Sequence, residues 1–184
     1  MKKILFLMAI LSICLKTYSQ QTGIFYKDEK VGYSRIIGNN VGNIVGASLT
    51  FGISSAKSNK VIEGDMAELE IEEAKPEFSI IFGEDKQTGY IFSNSKNLDE
   101  IVLVKLHVKK GSRNLRSGKY GLSGVKTGVD EKDIIPIAID KVDDNTYNIH
   151  PKKKLEKGEY CFFYVGKPQN EENPFNGVFD FSIK

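Results

Sequence analysis

The sequence predicts an all-β protein, folded as a single antiparallel Greek-key β-sandwich over residues 20–184, and three observations predict it. Apolar and polar residues alternate with a period of two along most of the chain, the mark of strands with one buried and one wet face. Gly, Asn, Asp and Pro interrupt that alternation at short intervals, and hardly any stretch suits a helix. Near the end, "LEKGEYCFFY" (155–164) sets a Leu, a Gly and a Tyr just before an aromatic run, the arrangement by which a sandwich turns the corner into its penultimate strand.

The first element is not part of the sandwich. "MKKILFLMAILSICLKTYSQ" has Lys2 and Lys3, an apolar stretch from Ile4 to Leu15 and then small polar residues, which is the pattern of a secretory signal peptide over residues 1–19. The apolar stretch is shorter than the roughly 20 residues that span a bilayer as a helix, so no transmembrane segment is expected after cleavage. Leu11 to Cys14 faintly resembles a lipoprotein acylation motif, but Ile13 is bulky for the position before the Cys, which leaves anchoring through Cys14 as the minor alternative. The expected location is periplasmic or extracellular.

Loss of Lys2, Lys3 and Lys16 with that segment takes 26 basic residues to 23, against 24 acidic ones. The remaining chain is near neutral, so its pI carries no nucleic-acid footprint and no nucleic-acid partner is expected. Cys161 is then the only cysteine, with no partner for an intrachain disulfide. Flanked by Phe162 and Phe163, it is expected to be buried as a small apolar residue.

The strands follow in order. "IIGNNVGNIVGASLTFGISS" reads as two short strands around a loop near Gly38 to Gly42. In "MAELEIEE", Ala67, Leu69 and Ile71 point one way and Glu68, Glu70 and Glu72 the other. "EFSIIFG" puts Phe78, Ile80 and Phe82 in phase. "IVLVKLHVKK" sets Val102, Val104, Leu106 and Val108 against Lys105, His107 and Lys109. "KYGLSGV", "IIPIAID", "TYNIH", "YCFFYVG" and "VFDFSIK" complete the set. Asp143, Asp144 and Asn145 make a hairpin turn, and Pro136, which lacks an N–H for a ladder, belongs on an edge or at a bulge.

At the corner, Leu155 is expected to plug the core, Gly158 to supply backbone freedom, and Tyr160 to bond its hydroxyl to backbone a few residues upstream. Here the chain resembles immunoglobulin-like and fibronectin type III-like sandwiches, whose corner reads Leu, any residue, Pro, Gly, then Tyr. Lys157 stands in place of that Pro, and the immunoglobulin Cys pair and core Trp are absent. The resemblance implies architecture and transfers no function. More broadly, "IEGDMAELEI", "PEFSIIF", "IVLVKLHVKKGSRNLRSG", "LEKGEY" and "FDFSIK" resemble a functionally uncharacterised family of exported bacterial β-sandwich proteins.

Chemistry-bearing motifs are mostly excluded by spacing. In "GSRNLRSGKY" Gly111 and Gly118 enclose six residues where a phosphate loop has four, and Tyr120 stands where the Mg²⁺-binding hydroxyl belongs. Gly38, Gly42 and Gly46, four apart, suit turns and bulges better than a dinucleotide fingerprint. With His107 and His150 the only histidines, a three-His metal site is impossible, and no Cys–His spacing suggests zinc. No cofactor and no catalytic residue is assigned.

What remains is binding. The leading expectation is a non-catalytic module, binding or structural, whose partner is a macromolecule of the envelope or exterior, protein or polysaccharide. A carbohydrate-binding module built on Tyr90, Phe92, Tyr120 or Tyr164 is the first alternative, and a hydrolase using carboxylates of "EEAKPE" or "NEENP" the second. Lys105, Lys109, Arg113 and Arg116 form the candidate binding surface for an acidic partner. The same basic run could instead sit beside the Glu68–Glu70–Glu72 stripe on a neighbouring strand, or be merely solvated.

Overall fold

The computed structural model describes residues 22–41, 56–83, 98–121, 124–166 and 177–184. The signal segment, Cys14, Gly42, Gly46, Tyr90, Phe92 and "NEENP" lie outside the described residues. Within them the chain is all-β, with antiparallel strands throughout except for one short parallel pair, and one single-turn 3₁₀ segment, Leu98–Glu100.

Five strands make the smaller sheet: β1 (Gly23–Tyr26), β2 (Glu29–Lys30), β6 (Phe78–Ile81), β12 (Ile137–Lys141) and β13 (Thr146–Pro151), in the order β12-β13-β6-β1-β2. The larger sheet runs β10-β9-β4-β3-β15-β14-β7-β11. Its members are β3 (Tyr33–Val41), β4 (Ala56–Glu63), β7 (Ile101–Lys105), β9 (Ser112–Gly121), β10 (Gly124–Thr127), β11 (Ile134–Ile135), β14 (Gly158–Tyr164) and β15 (Gly177–Ile183). β5 (Glu70–Ile71) adds to β15 and β8 (His107–Lys109) to β9.

The larger sheet curls back on itself at one residue. β7 and β8 are separated by Leu106 alone, yet β7 pairs with β14 and β8 with β9. The Lys105 N–H donates to the Asp133 carbonyl and the Leu106 N–H to the Glu159 carbonyl, each at 2.8 Å, so no main-chain donor is lost at the change of partner. The ladders β9–β4–β3–β15–β14–β7/β8–β9 therefore close a six-stranded antiparallel ring.

Closure gives β14 and β15 two buried faces, and their sequences divide accordingly. Tyr160, Phe162, Phe179, Phe181 and Ile183 pack under the smaller sheet with Ile24, Phe78, Ile80, Leu103 and Ile149. Aromatic rings interlock there, Phe78 lying 4.8 Å from Phe181 and 5.0 Å from Phe162 between centroids. The alternate residues Cys161 and Val178 face the ring interior with Ile36, Ile62, Val104, Leu106 and Leu115. Each large apolar side chain fully buried contributes about 1.5–3 kcal/mol relative to exposure, so the aromatic layer supplies much of the cohesion.

Local expectations fare unevenly. Phe78, Ile80 and Phe82 are buried in phase, as are Ala67, Leu69 and Ile71, although only Glu70–Ile71 forms a ladder. The Asp143–Asn145 turn is present, with the Asn145 N–H donating to Asp143 Oδ1 at 2.7 Å, and this bond holds the Asp143 carboxyl below its ordinary value. Pro136 lies between β11 and β12, each a terminal strand of its sheet among the described residues, where a missing N–H breaks no ladder.

Four expectations are corrected. Gly38 does not open a loop: β3 runs through it, with a register shift against β4 between Ile36 and Gly38. "KYGLSGV" is not one strand, since Lys119, Tyr120 and Gly121 of β9 pair antiparallel with Lys126, Val125 and Gly124 of β10. Val108 does not share the burial of Val104 and Leu106. It is 52% exposed, because the strand has left the apolar layer at Leu106. The glutamate stripe does not neighbour the lysine stripe: β5 lies parallel to β15, with β15 and β14 between it and β7, and Glu70 pairs with Lys184.

Candidate functional site

The four residues of the expected basic surface go to different places. Lys105 extends from β7 toward the β13–β14 corner, its Nζ 2.7 Å from Glu156 Oε2. That bond raises the ammonium above its ordinary value and lowers the Glu156 carboxyl. Lys109 is exposed at the end of β8, paired across the ladder with Ser112. The connecting residues Lys110 and Gly111 have φ of 51° and 74°, the left-handed pair of a tight hairpin.

Arg113 is no surface residue, which corrects its assignment. It is 4% exposed and its guanidinium pairs inside the ring with Asp180, itself 3% exposed. Arg113 Nη2 also donates to the Glu63 carbonyl at 2.7 Å, and the Ser34 hydroxyl donates to Asp180 Oδ1 at 2.9 Å. Burial pushes the Asp180 carboxyl up, and the Arg113 charge opposes that rise. A second buried acid, Glu159, accepts from the Ala67 N–H at 2.9 Å and the Ser182 hydroxyl at 2.7 Å, so the segment leading into β5 is tied to the ring.

Arg116 emerges on the outside of the ring, where Nε and Nη2 grip Asp133 at 2.6 and 2.5 Å and Nη1 lies 3.6 Å from Asp130. His107 joins them, its Nε2 3.0 Å from Asp133 Oδ1 and 2.5 Å from Arg116 Nη2. One ring nitrogen cannot donate to Asp133 and accept from Arg116 in the same tautomer, so the tautomer decides which of the two it bonds. The cluster fastens the β10–β11 connection to β8 and β9. His107, in phase with Lys105 and Lys109 along the sequence, is therefore half-exposed but engaged.

The corner forms as the sequence predicts. The Tyr160 hydroxyl donates to the Glu156 carbonyl at 2.8 Å, and Leu155 is buried in the aromatic layer. Gly158 has φ of 146°, a conformation that side chains rarely adopt. Desolvation raises the Tyr160 hydroxyl. Cys161 is fully buried, as expected, and desolvation holds its thiol well above the ordinary value, which suppresses the reactive thiolate.

Of the proposed aromatic platform, Tyr164 packs half-buried against the core and donates its hydroxyl to Glu100 at 2.5 Å. Tyr120 lies in β9 by its ladder, and its side chain is outside what is described. His150, at the end of β13, is 3.7 Å from Asp140. Among the described residues no group of three or more His, Cys, Asp or Glu is placed to hold a metal ion, and no helix is long and apolar enough to cross a membrane.

Sequence reasoning missed Asp133, Glu159 and Asp180. A charged residue in alternate phase of a strand faces water only where one face of the sheet is open, and in β14 and β15 both faces are covered. The available signal was "VFDFSIK", where Asp180 stands between Phe179 and Phe181 in a strand all seven of whose residues are buried. In comparisons with known proteins, no family model, curated protein or solved structure matches the chain.

Proposed function

We propose that the chain is an exported, non-catalytic β-protein that acts by binding another macromolecule of the bacterial envelope or exterior. The observation that carries this reading is the fate of the side chains capable of chemistry. Arg113, Asp180 and Glu159 are consumed inside the ring, His107, Arg116 and Asp133 are consumed in a clasp on its outside, and Cys161 is desolvated. Side chains so paired serve to fix a scaffold. Export is supported by the sequence of residues 1–19. An immunoglobulin-like Greek-key arrangement belongs to the same proposal: the Leu155–Tyr160 corner and the stacking of two sheets on one aromatic layer support it, and the curl of the larger sheet is a departure from it.

The test is to express the full chain in a bacterial host, determine the N-terminus of the exported product by intact mass, and incubate that product with isolated envelope polysaccharide. Retention on the polymer or its attached proteins without any shortening of the polymer is the expected result. Repeated turnover of the polymer would replace the reading with the carboxylate hydrolase, and an unprocessed chain left in the cytoplasm would refute export.

A further inference from the structure

We propose that the β13–β14 corner, residues 152–157, is the surface through which the protein binds an acidic polysaccharide. The inference rests on the binding-module reading above and names its surface and ligand class. Lys152, Lys153, Lys154 and Lys157 are all exposed, and among the described residues none of their ammonium groups appears in an ion pair. The single carboxylate of the loop, Glu156, is already bound by Lys105. Lys75 is exposed beside them, because the Leu155 N–H donates to the Ala74 carbonyl at 2.7 Å. Five cations thus share one corner of a chain whose charges beyond residue 19 nearly balance as a whole, 23 basic against 24 acidic.

The backbone beneath these charges is fixed. Pro151 is buried at the end of β13, and the Lys152 N–H donates to the Pro136 carbonyl at 2.9 Å. Leu155 is anchored in the core, and the Tyr160 hydroxyl holds the Glu156 carbonyl. Binding therefore orders only lysine side chains, which lowers the entropic cost of association. Glu73 and Glu77, on the adjoining stretch, are held by Tyr26 with Lys27 and by Asn148 respectively, and Glu72 is exposed there. Their presence makes the attraction local and sensitive to salt.

The residue type selects the ligand. Lysines on flexible stems act as point charges, suited to the repeating, loosely positioned carboxylates or sulfates of a polymer, whereas a single phosphate is better gripped by an arginine fork. The arginines of this chain that were candidates for that role are engaged elsewhere, Arg113 in the ring and Arg116 on Asp133.

The experiment measures binding of the exported protein to polygalacturonate and to heparin at low and raised salt. It compares wild type with Lys152→Gln/Lys153→Gln/Lys154→Gln/Lys157→Gln and with a charge-matched control, Arg35→Gln/Lys57→Gln/Lys110→Gln/Lys132→Gln. The corner variant should bind roughly tenfold or more weakly, the control should match wild type, and wild-type binding should weaken as salt is raised. Equal loss in both variants would overturn the proposal in favour of general charge. Binding to phosphatidylglycerol vesicles with none to either polysaccharide would overturn it in favour of a membrane surface. Undiminished retention of the corner variant on envelope polysaccharide would refute the surface and leave the binding reading standing, whereas absence of wild-type retention would refute both. Urea midpoints equal across the three proteins confirm that the fold is unchanged.

Discussion

The two faces of β14 and β15 are buried to the same degree and built on different principles. Toward the smaller sheet they present Tyr160, Phe162, Phe179, Phe181 and Ile183, an interlocked apolar layer in which shape and area do the stabilising. Toward the ring interior they present Glu159, Cys161, Val178, Asp180 and Ser182, where two carboxylates and a hydroxyl stand among small apolar residues. The first face tolerates exchange of one hydrophobe for another of similar volume. The second depends on Arg113, Ser34, Ser182 and the Ala67 N–H being in place, because a buried charge without its partner is far costlier than a lost contact.

The sharpest way to break this comparison is an isosteric change on the polar face. Asp180→Asn keeps volume and leaves Arg113 buried without a counter-charge, and should destabilise by about 3–5 kcal/mol in urea melts. Cys161, paired across the ladder with Asp180, should become correspondingly easier to label with a thiol reagent. The double variant Arg113→Met/Asp180→Leu removes both charges and should recover most of that loss. If the single change costs less than about 1 kcal/mol, the ring interior is not charge-organised and the contrast between the faces fails.

How much of this was legible depends on the same contrast. The apolar face was read directly, since Phe78, Ile80, Phe162, Phe179 and Phe181 announce themselves by alternation. The corner was read from Leu155, Gly158 and Tyr160, because a left-handed backbone and a local tyrosine bond need few residues close in sequence. The ring interior was not legible. Its pairs join Arg113 to Asp180 and Ala67 to Glu159, far apart in the chain, and pairing at such range leaves no local period. For the same reason the candidate surface was misplaced: Lys105, Lys109, Arg113 and Arg116 look like one run, but the bend at Leu106 and the closure of the ring send them to four environments.

A weaker break concerns the corner, where the two faces begin. Gly158→Ala places a methyl group with no heavy atom nearer than Lys105 Cε at 3.9 Å, so space is free and the backbone alone resists. At φ of 146° the strain should cost about 1–3 kcal/mol. A variant as stable as wild type in urea melts would mean the corner relaxes without a glycine. Smaller again, Tyr160→Phe removes one partly buried hydroxyl from the Glu156 carbonyl and keeps the ring in the apolar layer. It should lower stability by about 1 kcal/mol with the fold intact, and an unchanged denaturation midpoint would remove the hydroxyl's structural role.

The smallest expected effect tests the topology that creates two buried faces at all. Glu70 pairs with Ser182 on β15, Ser182 with Glu159 on β14, and Tyr160, the next residue of β14, pairs with Lys105 on β7. Three strand spacings of about 4.8 Å separate Glu70 from Lys105, roughly 14 Å in all. Their charges are moreover engaged with Lys184 and Glu156 respectively. A double-mutant cycle with Glu70→Ala and Lys105→Ala should therefore be additive within about 0.3 kcal/mol, even at low salt. Had β5 lain directly against β7, opposite charges facing each other would couple by about 0.2–1 kcal/mol and the coupling would fade as salt is raised. A salt-dependent coupling near the top of that range would place β5 on the wrong side of β14 and β15, and with it would go the second cover that makes their polar face an interior.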